Sequence, residues 1–82
     1  MKFMVEFQLQ PGIKNKAVEA FEQRGPNRNP GVRFVGAWVG TKDDVAFVLV
    51  ESADEALVAK AGQSWSDFSQ HQIYPVIDVQ QF

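Results

Sequence analysis

The chain has 82 residues, a net charge of −2, one histidine and no cysteine. Disulfides, thiol chemistry and cysteine-ligated zinc are excluded, as is a multi-histidine metal site within one chain. The acidic balance argues against a general polyanion binder, so nucleic acid is not expected as a partner.

Phe3, Val5, Phe7 and Leu9 alternate with Lys2, Met4, Glu6 and Gln8, which predicts a strand with one apolar face. Pro11-Gly12 ends it. Residues 13–24 carry Ile13, Ala17, Ala20, Phe21 and Arg24 on one side at helical spacing, with Val18 adjoining. Gly25 is the natural residue to close that helix, with Pro26 just beyond. Residues 25–31 form a loop with Pro or Gly at four positions, and such a loop must be held by side chains or a partner.

Residues 32–40 predict a second strand, with Val32, Phe34, Gly36 and Trp38 on one face and Arg33, Val35, Ala37 and Val39 on the other. Its two glycines suggest a bend or a close backbone approach. Residues 41–44 make a polar hairpin connection. The strand over 45–50 is apolar on both faces, as a central strand is. Ser52 and Glu55 have capping-box spacing before a helix over 53–61, which Gly62 ends. Ser64 to Asp67 resembles a second cap, and a short helix over 65–70 follows from it. Residues 73–79 give the last strand, at an edge or bulged because Pro75 cannot donate to a ladder.

The order β-α-β-β-α-β in one domain over 1–82 predicts an α+β, ferredoxin-like fold. This is a four-stranded antiparallel sheet with both helices on one face. Surface scaling gives roughly 4,900 Å² folded against roughly 13,300 Å² extended, a thin core that invites further burial. The helix-free face carries apolar residues, so a homodimer through that face is expected. No run approaches the roughly 20 apolar residues of a membrane span, so no membrane partner is expected. The N-terminus has no signal-peptide pattern, and the cytoplasm is the expected compartment.

Several segments together resemble a known family: Met1 to Val5, Ala17-Val18 with Phe21, Gly25, Pro30-Gly31, Gly36 to Trp38, Trp65 to Phe68, and Ile73 to Ile77. By these residues the chain is similar, over nearly its whole length, to domain-of-unknown-function family 3303, of the dimeric α+β barrel type. The resemblance implies this fold and a dimer, and supplies no activity. The family pattern more often has an aromatic residue at position 71, an acidic one at 72 and a basic one after Gly25. Here His71, Gln72 and Pro26 stand there.

His71 is the residue type suited to proton transfer near neutrality. Asp67 precedes it by four residues and would share its face if 65–71 were helical. With Tyr74 these are the weak catalytic candidates, but a lone histidine in a polar segment is more often a surface residue. Trp38 and Trp65 are candidate pocket walls, although large aromatics commonly just fill cores. Arg24, Arg28 and Arg33 bracket the loop, and Arg28 and Arg33 are the candidate anchors for an anionic ligand. Ion pairing or solvation is the blander account of them. No cofactor is implied. The chain reads as a homodimeric binding or accessory protein without an evident catalytic motif, with a small molecule as candidate ligand. The alternative is a cofactor-independent enzyme, monooxygenase- or isomerase-like, with its cleft between helices and sheet. An RNA-binding sheet ranks behind both, because the signature of such sheets is missing.

Overall fold

The computed structural model describes residues 1–25 and 29–82. The elements are β1 (Lys2–Leu9), α1 (Lys14–Arg24), β2 (Arg33–Val39), β3 (Val45–Glu51), α2 (Glu55–Gln63), β4 (Ser69–Val76) and a final 3-10 turn (Val79–Gln81). One antiparallel sheet has the order β2-β3-β1-β4. The expected ferredoxin-like α+β architecture is thus present.

Register sorts the sheet into two faces. Toward the helices lie three cross-strand rows: Phe34, Val50, Phe3 and Pro75; Ala37, Val48, Val5 and Ile73; Val39, Ala46, Phe7 and His71. The core gathers Phe3, Val5, Phe7, Val50 and Val58, with Phe3 and Val58 only 1% exposed. A side chain of that size, fully buried, contributes about 1.5–3 kcal/mol. The opposite face carries Arg33, Glu51, Lys2 and Val76; then Gly36, Leu49, Met4 and Tyr74; then Trp38, Phe47, Glu6 and Gln72. Pro75 stands on an edge strand, as its missing donor requires.

Several local expectations need correction. In β2 a register shift between Phe34 and Gly36 swaps the faces, so Gly36 and Trp38 lie opposite Phe34 rather than beside it. A Cβ at Gly36 would sit 3.0 Å from Trp38 Cη2, so glycine lets the indole fold down on the strand. At α2 the cap is Asp54, whose carboxylate accepts from Ala56 N at 2.9 Å. Ser52 is buried instead, donating to Gly31 O at 2.7 Å and accepting from Asp54 N at 3.2 Å. The helix therefore starts two residues late and runs through Gly62 to Gln63.

The remaining corrections concern β4 and β3. Residues 64–68 form turns, not a helix, and β4 begins at Ser69. Sequence periodicity hides this start because Gln70 and Gln72 lie on the open face of an edge strand, where polar residues are tolerated. The strand ends at Val76, and Asp78 caps the final turn by accepting from Gln80 N at 2.8 Å. Finally, β3 is central in the sheet, but its residues Val45, Phe47 and Leu49 are only half-buried within one chain. Gly25 does close α1, with φ +83° and its N–H donating to Phe21 O at 3.0 Å.

Candidate functional site

α1 stands off the sheet, and the space beneath it is a cavity of about 340 Å³. Its floor is the helix-facing side of β1 and β3, with Val5, Phe7, Ala46, Val48 and Val50. Its walls are Ala17, Val18 and Phe21 from α1 and Val58, Ala61 and Gly62 from α2. Trp65, Phe68 and Ser69 close it on the β4 side, and Ala37, Trp38 and Val39 border it along β2. The volume lies in the range of small-molecule sites, roughly 300–1,000 Å³, and the lining is the expected mixture of aliphatic and aromatic groups.

Polar side chains are sparse in the lining: Glu22, Asn29 and Ser69. The Ser69 hydroxyl is committed, donating to Trp65 O at 3.2 Å. Trp65 is the pivot of an aromatic group. Its ring centroid lies 6.0 Å from Phe21 and 6.1 Å from Phe68, and Phe21 in turn lies 5.8 Å from Phe34. Arg24, in the last turn of α1, places its guanidinium 4.6 Å from the Trp65 centroid and 5.5 Å from that of Phe68. Its Nη1 donates to Ser64 O at 3.3 Å, which ties α1 to the end of α2. At the other end of α1, Lys14 Nζ donates to Gly40 O at 2.7 Å.

The sequence-derived candidates separate. Trp65 lines the cavity with its ring held on three sides. Trp38 borders it but is 56% exposed, with its indole on the helix-free face. Arg33 pairs with Glu51 on that same face, away from the cavity. Arg28 lies outside the described residues. His71 is not in the cavity wall. It packs under α2, where a Cβ on Gly62 would meet its Cδ2 at 2.7 Å and its Nε2 at 2.8 Å, and its ring lies 6.1 Å from Phe7. Asp67 is in the turn before β4, exposed, so no helix aligns it with His71. That corrects the reading of these two on one helical face.

Tyr74 belongs to the helix-free face. Its hydroxyl lies 3.2 Å from Glu6 Oε1 and 2.5 Å from Gln72 Oε1, and Gln8 donates to the same Glu6 carboxylate. Partial burial, then the hydrogen bond and charge of Glu6, raise the phenol above its ordinary value of 10.0. A phenol whose proton is held more firmly is a weaker acid. Phe21, Phe68 and Val58 were not among the candidates, because a wall assembled from many separate segments leaves no local motif.

Among the described residues no group of three or more histidines and acids stands close enough to hold a metal. Among them, too, no helix is long and apolar enough to cross a membrane. A ferredoxin-like sheet with one apolar cavity under its helices and one uncovered face defines the class of protein. The family follows from comparison: the profile of a domain of unknown function, DUF3303, matches residues 1–82, and the chain belongs to that family. No curated protein and no solved structure matches the chain.

Proposed function

We propose that the chain is a homodimeric binding protein that takes a small apolar molecule into the cavity beneath α1. The observation that carries this is the lining itself: five elements contribute apolar walls to about 340 Å³, and Trp65 and Phe21 stand at its edge. Binding rather than catalysis is favoured because His71 and Tyr74 stand elsewhere, and Ser69 is already donating to the backbone. The test is uptake of N-phenylnaphthylamine, a neutral probe whose emission rises in apolar surroundings. Saturable uptake is expected, and it should fall in Ala17→Leu and Ala46→Phe, which fill the space from opposite walls. Uptake unchanged in both folded variants would overturn the reading.

The dimer reading rests on the helix-free sheet face, where large apolar side chains stay exposed in the single chain. Trp38, Phe47, Leu49 and Met4 form the apolar half of the helix-free face, and a second copy of this chain is its proposed cover. Trp38 and Tyr74 are both conspicuously exposed there, at 56% and 43%. Sedimentation equilibrium at micromolar concentration should give a dimer, and Phe47→Glu a folded monomer. A wild-type monomer would contradict it.

A further inference from the structure

We propose that the ligand is an uncharged aromatic molecule of one or two rings, stacked against Trp65 and Phe21. The proposal rests on the binding reading above and adds the chemical class of the ligand.

The cavity has an aromatic corner. Phe21 from α1 and Trp65 and Phe68 from the turns before β4 line it, and Phe7 lies in its floor. Phe21 and Phe68 are tilted against Trp65 by 38° and 44°, at centroid distances of 6.0 Å and 6.1 Å. Those are the separations of favourable ring pairs, in which the positive edge of one ring meets the negative face of another. Arg24 steadies the central ring. Its guanidinium lies 4.6 Å from the Trp65 centroid, yet Arg24 is not part of the lining, so the cation covers the side of the indole turned away from the cavity. The side toward the cavity is left for a ligand ring.

Core filling alone accounts for less. Protein interiors are closely packed, and voids larger than a water are few. Rings that only filled a core would be surrounded by protein. Here about 340 Å³ lies against them, and Phe21, Trp65 and Phe68 are all only half-buried. An apolar cavity of about 150 Å³ takes one benzene, so this space has room for two rings. The lining also speaks to charge. Among the described residues, its one charged side chain is Glu22, which is exposed. A carboxylate ligand would meet a like charge there, and any ion would give up water for an apolar wall. An ammonium beside the exposed Glu22 would gain little, because ion pairs in water are weak. An uncharged ligand meets none of these costs.

Displacement of N-phenylnaphthylamine by a set of amides separates ring character from size. Cyclohexylpropionamide has the larger apolar surface and would rank ahead of phenylpropionamide if area alone decided. Phenylpropionamide should instead displace at the lower concentration, and naphthylpropionamide, with its second ring, at a lower one still. Phenylpropionate and phenylpropylamine, which carry the same ring with a charge, should both be weaker than phenylpropionamide. Trp65→Leu and Phe21→Leu keep an apolar wall and remove a ring. Each should cut the ratio of phenyl to cyclohexyl binding by about two- to tenfold, the worth of one ring pair. Cyclohexylpropionamide level with or ahead of phenylpropionamide in the wild type overturns the proposal, and so does a ratio unchanged in both folded variants. An acid or an amine ahead of phenylpropionamide overturns the uncharged class. If neither variant folds, the wild-type ranking decides by itself. If N-phenylnaphthylamine enters but the saturated ring ranks level or first, only the aromatic assignment fails. If no probe enters, the cavity reading fails with it.

Discussion

Gly62→Ala tests the placement of His71 against α2. Alanine in a helix interior is ordinarily better than glycine by about 1 kcal/mol. Gly62 lies within α2 and is buried, so a surface gain is not available to it. Its new Cβ would lie 2.7 Å from His71 Cδ2, 2.8 Å from Nε2 and 3.1 Å from Cγ. Ordinary carbon contacts are near 3.5–4.0 Å, so the whole ring must move, not only its tip. Phe7 lies on another side of the imidazole, 6.1 Å between centroids, and limits where it can go. Overpacking of this kind costs about 1–3 kcal/mol, which outweighs the propensity gain. Urea denaturation of wild type, Gly62→Ala, His71→Ala and the double variant gives the coupling directly. The single Gly62→Ala change should destabilise by about 1 kcal/mol net. In the His71→Ala background the same change should be neutral or stabilising. A Gly62→Ala variant that gains the full helix propensity by itself would refute the packing of His71 under α2.

Four further outcomes follow from the structure. Asp54→Ala should cost about 1 kcal/mol by removing the α2 cap, measured by urea denaturation, while Asp54→Asn should cost little. Val58→Ala should cost about 2 kcal/mol or more, since Val58 is almost fully buried, and should enlarge the cavity without abolishing probe uptake. Ultraviolet titration of Tyr74, the single tyrosine, should give a midpoint above 10.0, lowered by Glu6→Gln. Because its folded value is raised, its contribution to stability is full below the unfolded value near 10 and is lost as pH climbs through the folded one. Trp65→Ala should reduce probe uptake more than Trp38→Ala, because only Trp65 is held between cavity-wall rings.

Element order was legible because each strand of the first half announces itself. Phe3 to Leu9 alternate, Pro11-Gly12 and Gly25 punctuate, and the apolar run at 45–50 belongs in the middle of a sheet. What escaped the reading was decided by tertiary contacts. A register shift at Val35 rotates Trp38 to the other face, and nothing in an alternating pattern signals where an extra residue will sit. Ser52 has N-cap chemistry but is used to hold Gly31, so Asp54 takes the cap. The strand containing His71 is polar along one side and resembles a loop. In the site, Trp65 was legible as a wall, whereas Phe68 and Val58 join it only through folding. Arg24 was visible as an arginine on an apolar helix face, but its seat on two rings depends on the turn over 64–68.

The central claim is that the space between α1, Trp65 and the sheet receives a small molecule. Amide chemical shifts of the ¹⁵N-labelled protein during titration with phenylpropionamide test it most directly. Ala17, Phe21, Val58 and the Trp65 indole should shift together and saturate at one concentration. Shifts confined to Trp38, Phe47 and Leu49 on the helix-free face, or none at all, would contradict the account.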